Sequence, residues 1–273
     1  MEIQEIITRL KRLDNDRFPR QALRAAIDQS DEVTPELLGI LENVLLDPQK
    51  RRSDSNMDLF FAMFLLAQFR EQRACPLICQ IVSLPDDNGK IVSHLLGDIV
   101  TEGLPRILAS VSGVNWAPLK AVLENPSVYE YTRSSTLKAL TVLMYEGVVP
   151  RDELVAYFLS LFQGGLDRTE DPFIWASLIR ACHDIYPKEC YEEICKAYDE
   201  CIVETFFIRL QDVEYVLEQD KDAYLASQKK NYCFFSDTFE LASWICFKPA
   251  KSEIKRKNKL ARPSKGRKKR KKR

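Results

Sequence analysis

The stretch from Tyr129 to Gly165, YEYTRSSTLKALTVLMYEGVVPRDELVAYFLSLFQGG, is the strongest constraint on what this chain can become. It reads as a helix, a tight turn and a second helix. Leu137, Leu140 and Met144 share one face of the first helix, and Leu154, Phe158, Leu161 and Phe162 one face of the second, at the helical period. Gly147 stands where a left-handed C-terminal cap belongs, and Pro150 suits the first position of the following helix. Asp152 and Glu153 then put negative charge near that helix's positive end. A hairpin of this kind leaves apolar surface uncovered, so it needs neighbours to stack on.

The flanking sequence supplies them. Residues 2–14 pattern as a helix with Ile3, Ile6, Ile7 and Leu10 on one stripe; Pro19 opens a second, and Thr34-Pro35-Glu36 reads as the start of a third that runs to Leu46. Helix pairs follow at about 56–70 with 73–84, and 90–101 with 105–112, then a single helix at 117–124. A further pair at 172–186 and 187–201 comes after the hairpin. Closing helices are expected near 207–219 and 237–247, the last with Asp237 and Glu240 at capping-box spacing. Pair starts near 56, 90, 130 and 172 give irregular steps of the size of two-helix repeats. With only 9 glycines and no strand-like alternation, an all-α fold is expected: a HEAT-like α-solenoid of stacked antiparallel helical hairpins over residues 1–247. The segment 133–140 looks like the first-helix core of a HEAT repeat, a family that often carries arginine where Arg133 stands.

Three segments, VTPELLGILENVL (33–45), FLLAQFREQRACPLICQIVSLP (64–85) and HLLGDIVTEGLPRILASV (94–111), resemble a family of uncharacterised bacterial proteins with a HEAT-like helical domain. The likeness covers about residues 1–220 and implies architecture, not chemistry. Some similar chains end in a cysteine-rich zinc motif. The corresponding end here, ARPSKGRKKRKKR, has no cysteine or histidine, so no zinc is carried over.

The zero net charge conceals a division. Residues 248–273 hold 15 Lys or Arg and one acid, leaving 25 basic and 39 acidic side chains in the rest, a net of −14. The tail is expected to be disordered, because its basic run has no apolar residue to bury. Arg267, Lys268, Lys269, Arg270, Lys271, Lys272 and Arg273 form a run suited to a salt-sensitive, sequence-independent grip on RNA, DNA or the ribosome. The alternatives are a solubilising tail, one that folds back on the acidic body, or a nuclear-import signal.

The sequence points to a cytoplasmic protein. The N-terminus is amphipathic and lacks a signal-peptide core, and the longest apolar run, Leu59 to Ala67, is too short to span a bilayer. The 8 cysteines fall mostly in apolar helical patterns, as reduced buried thiols do. Cys182, His183, Cys190, Cys195 and Cys201 are the densest group of potential ligands, yet their spacing lacks paired knuckles, and Cys75 and Cys79 are one residue too far apart for a redox motif.

His94, Asp98 and Glu102 follow one another at four-residue steps on one expected helix face. On a straight helix they spread over about 12 Å, too far to close on one ion without other ligands, so they read as a solvated stripe. No phosphate-binding loop, dinucleotide fingerprint or nucleophile elbow is present. Asp86-Asp87-Asn88-Gly89 reads as a turn, since calcium-loop spacing is missing. Arg133, with Arg106 and Arg180, is expected to pair with acids on neighbouring repeats. Phe206-Phe207, Cys233-Phe234-Phe235 and Trp244 to Phe247 are expected to cover the last repeat, with an exposed partner site as the alternative.

The function these features favour is a non-enzymatic scaffold that binds a protein partner on a helix face and needs no cofactor, with the tail as a tether. Two alternatives stand beside it: a metal-dependent enzyme or binder built on the helices, and a bacterial effector acting in a host cell.

Overall fold

The structure is a computed structural model that describes residues 1–11, 18–52, 57–85 and 90–239. Among these the chain forms fifteen α-helices and no strand. The first three are α1 (Ile3–Lys11), α2 (Arg20–Asp28) and α3 (Ser30–Leu46). Then come α4 (Met57–Gln68), α5 (Ala74–Val82), α6 (Lys90–Leu96), α7 (Ile99–Glu102) and α8 (Leu104–Ser112). The middle of the chain gives α9 (Ala117–Glu124), α10 (Glu130–Tyr145), α11 (Arg151–Ser160) and α12 (Pro172–Asp184). The last three are α13 (Tyr191–Asp199), α14 (Leu210–Leu217) and α15 (Lys221–Gln228).

Two rows of helices carry the fold. In one, α4 packs on α8, α8 on α10, and α10 on α12. In the other, α3 packs on α5 and α5 on α9. Cross-row contacts of α3 with α4, α10 with α9, and α11 with α10 and α12 close the core between them. In α4, every residue from Phe61 to Ala67 is fully buried, as the unbroken apolar run demands of a helix enclosed on most sides.

The central hairpin forms much as its sequence dictates. Gly147 takes φ +75° just past α10, a conformation that costs a glycine nothing. Pro150 stands one position earlier than expected, as the N-cap of α11 rather than its first residue. Leu137, Leu140, Leu154, Phe158, Leu161 and Phe162 are buried.

Four boundaries differ from the sequence reading. α3 starts at Ser30, so Pro35 lies inside it and Thr34 bonds back to the Ser30 carbonyl (2.7 Å) instead of capping. Pro35 is the sixth residue of α3 and has no N–H for the Asp31 carbonyl, so the helix forgoes one bond there. The expected helix 90–101 is broken at Gly97, whose φ of +50° ends α6. The expected helix 187–201 starts as a 3-10 turn and ends at Asp199. The expected helix 207–219 is α14, and α15 follows it on a cap the sequence reading passed over: the Asp220 carboxylate accepts from the Ala223 N–H (2.9 Å). The expected helix 237–247, the 86–89 turn and the basic tail reach into or lie in residues outside those described.

Candidate functional site

Between α10 and α12 runs a cleft of about 350 Å³. Small residues open it. Ser134 of α10 and Ser177 of α12 face each other and their hydroxyls hydrogen-bond at 2.9 Å, forming part of the floor. One end is aromatic: Tyr131 lies 4.9 Å from Phe173, and Phe173 lies 5.1 Å from Phe207, ring centre to ring centre. Tyr131 and Phe207 are 40% and 44% exposed, so this ledge is open to solvent. Phe206 beside it is 97% exposed.

The other end is ionic. Asp184 closes α12 with its side chain buried, and four groups converge on it. His183 Nδ1 lies 2.8 Å from Oδ1, and Arg180 Nε 3.0 and 3.1 Å from the two oxygens. The Tyr232 hydroxyl donates to Oδ2, and the Tyr145 hydroxyl to the Asp184 carbonyl (2.6 Å). Burial pushes the Asp184 carboxyl up. The His183 hydrogen bond, the Arg180 charge and the Tyr232 hydroxyl outweigh it and hold the group below the usual carboxylate range. Tyr232, Tyr224 and Tyr145 are all pushed above the ordinary phenol value, first by burial and then by the Asp184 charge, with the charge of Tyr224 acting ahead of Asp184 at Tyr145. The tyrosines therefore serve as neutral donors around one anion.

From Tyr232 the chain leaves as a strap across the α4–α8–α10–α12 row, without helix or strand over 233–237 and turning helical at Thr238 and Phe239. The Tyr232 ring stacks on Tyr145 (5.1 Å). The Phe234 N–H donates to Glu146 Oε1 (2.9 Å), and the Phe235 N–H to Ser110 Oγ (2.8 Å). Arg106 Nη2 reaches the Phe234 carbonyl (3.0 Å) and Arg70 Nη1 the Phe235 carbonyl (2.7 Å). Phe235 is fully buried and stacks on Phe64 (5.5 Å). Thr238 bonds Gln68 through both its N–H (2.9 Å) and its hydroxyl (2.7 Å), and Phe239 meets Phe18 (6.0 Å). Main-chain pairing with side chains on or just past three helices, α4, α8 and α10, is how a groove holds a peptide irrespective of most of its sequence.

These contacts correct several expectations. Cys233-Phe234-Phe235 covers α4, α8 and α10, not the last repeat. Phe207 does pack near the end, on Phe173, but Phe206 covers nothing. Arg133 of α10 pairs with Glu170 in the loop ahead of α12 (2.6 Å). Arg180 instead pairs within its own helix, and Arg106 bonds strap carbonyls rather than an acid.

His94 sits on α6, Asp98 before α7 and Glu102 at the end of α7, all exposed, on two helices separated by Gly97. The single-face stripe is therefore split. Among the described residues no three His, Cys, Asp or Glu side chains gather closely enough to hold a metal ion. Cys75, Cys79, Cys182 and Cys190 are buried, but Cys201 and Cys233 are exposed. Cys201 lies beyond the helix in the left-handed region (φ +58°), and Cys233 is in the strap. Burial, then a hydrogen bond with Cys190, raises the Cys182 thiol well above its ordinary value. Arg267 to Arg273 fall outside the described residues. No described helix is long and apolar enough to cross a membrane.

The sequence had no marker for this cleft. Ser134 and Lys138 fall in the repeat-like segment 133–140, Arg180 was expected to pair with an acid on a neighbouring repeat, and only the pairing of α10 with α12 brings them together with Ser177.

Residues 1–248 match the family described as "Protein of unknown function (DUF1186)". An uncharacterized protein of Chlamydia trachomatis serovar D is 34% identical over 248 residues, 90% of this chain and 96% of the relative. One of Chlamydia muridarum is 33% identical over 248 residues, 90% of this chain and 97% of the relative. No solved structure matches. Most of the basic tail lies beyond the matched residues.

Proposed function

This chain belongs to the DUF1186 family, and from that premise we propose that it is a non-enzymatic helical scaffold whose α4–α8–α10–α12 face binds an extended segment of a protein partner. One observation carries the reading. The chain's own residues 232–239 cross that face, with 233–237 outside any helix or strand, held through their main chain by Gln68, Arg70, Arg106, Ser110 and Glu146. The row extends beyond the strap into the open α10–α12 cleft, where exposed aromatics offer the kind of apolar surface that marks interaction sites. The two-row packing supports a HEAT-like stack, a geometry that presents long binding faces. Asp184, the carboxylate in the cleft lining, is held by Arg180, His183 and Tyr232, which supports a binding surface over a reaction centre.

In this reading residues 248–273 tether the scaffold to nucleic acid, the ribosome or another polyanion through counterion release. The protein works in the cytoplasm, where exposed Cys201 and Cys233 stay reduced. The test is affinity capture from the native organism with full-length and tail-deleted protein side by side, after nuclease treatment. A discrete protein retained by both forms supports the scaffold. If every captured protein disappears with the tail or the nuclease, the helical face is not the binding surface.

A further inference from the structure

We propose that the α10–α12 cleft takes an acidic peptide in which an aromatic or large aliphatic residue stands about three residues from a carboxylate. This rests on the scaffold reading and gives its partner a chemistry.

The charges in the cleft are unequal. Its ionisable lining with a fixed charge is Lys138, Arg180 and Asp184, a net of +1 within a body whose net charge is −14. Arg180 spends Nε on Asp184, while its side chain stays 50% exposed and neither Nη has an acceptor among the described residues. A guanidinium with its outer edge free is a ready fork for a carboxylate. Lys138, on the facing helix one turn beyond Ser134, is exposed beside it. Asp184 does not repel an incoming anion strongly, because Arg180 pairs with it and Tyr232 and His183 hydrogen-bond to it.

The apolar half is laid out along the same groove. Phe173 precedes Arg180 by seven positions on α12, and Tyr131 precedes Lys138 by seven on α10. At 1.5 Å per residue both gaps are about 10 Å. An extended chain covers that distance in about three residues. The ledge of Tyr131, Phe173 and Phe207 would receive the apolar side chain, and the Lys138–Arg180 pair the carboxylate. Tyr232, where the strap begins, lines the cleft, so a bound peptide would lie beside the chain already seated on the row.

The test uses full-length protein and a fluorescein-labelled, end-blocked octapeptide of serine and glycine carrying one phenylalanine and one glutamate three residues apart. Saturable binding tighter than ~1 mM is expected, weakened about tenfold when the glutamate becomes glutamine or the phenylalanine becomes alanine. Lys138→Glu, an exposed position, should weaken it at least as much. The same variant should bind a lysine-bearing version of the peptide better than the wild type does, a gain that misfolding cannot produce. Absent saturable binding, indifference to Lys138→Glu, or equally tight binding of 3-phenylpropionate would overturn the proposal. If the peptide fails while nuclease-resistant capture succeeds, the scaffold stands and the cleft is not its peptide site.

Discussion

Arg133 and Glu170 form a buried two-pronged ion pair that joins α10 to the loop ahead of α12. Nη1 meets Oε2 at 2.6 Å and Nη2 meets Oε1 at 2.9 Å, while Nε reaches back to the Leu123 carbonyl at the end of α9 (2.7 Å). Arg133 is 2% exposed and Glu170 10%. One side chain thus fixes three consecutive elements beneath the cleft. Arg133→Ala should destabilise the fold by about 3–5 kcal/mol, since it leaves a carboxylate without its partner in a dry site. Urea unfolding would check this; a loss under about 1 kcal/mol, the value of a surface pair, would mean the tie is slack.

Phe235→Ala empties a fully buried site opposite Phe64 and should cost about 3–5 kcal/mol. Deletion of 232–273 should cost more, because it also strips the acceptors from Arg70 and Arg106. Thermal melts of both forms against the wild type decide it, and an unchanged melting temperature would show that the strap is not seated.

How much of this was legible follows the range of the interactions. The α10–α11 hairpin could be read from Gly147, Asp152 and the 3.6-residue apolar period because those signals are local. Arg133 was picked out by its position in a repeat-like helix. The strap was not legible: Phe234 and Phe235 were read as a cap for the nearest repeat, yet their partners Arg70, Ser110 and Glu146 are about 90 to 165 residues away in sequence. Gly97 was likewise hidden. A lone glycine in a helical pattern is usually tolerated, and here it takes a left-handed turn that splits His94 from Glu102.

Stability should decline on acidification in a defined window. The Arg151 hydrogen bonds pull Glu189 down to about 2, and Asp184 is also held below its ordinary value. A depressed carboxyl stabilises the fold above its unfolded pKa and loses that contribution as pH falls through the folded one. The melting temperature should therefore be level from pH 7 to about 5 and fall between about 4.5 and 2. Glu189→Gln should remove part of that slope; an identical slope in the variant would show that the Arg151 pair does not contribute.

Thiol reactivity should follow exposure. In native protein, iodoacetamide should label Cys201 and Cys233 rapidly and leave Cys75, Cys182 and Cys190 intact until denaturant is added. Peptide mass mapping reads the order, and early labelling of Cys182 would contradict the packing of α12.

Deleting residues 251–273 should leave the melting temperature nearly unchanged and abolish retention on heparin or RNA. Retention of the full chain should fall steeply with salt, as neutralisation of several phosphates requires. If the full chain binds neither at low salt, the tether is wrong and the helical face must act alone.

The most direct test of the binding face is site-specific photocrosslinking in the native organism. The photoreactive residue p-benzoylphenylalanine would replace Phe206, exposed beside the cleft, or Leu46, which is 80% exposed at the end of α3 in the other row. A discrete protein adduct from position 206, absent from position 46 and reduced by Lys138→Glu, is the predicted result. Equal adducts from both positions, or none from 206, would contradict a partner-binding face at the α10–α12 cleft.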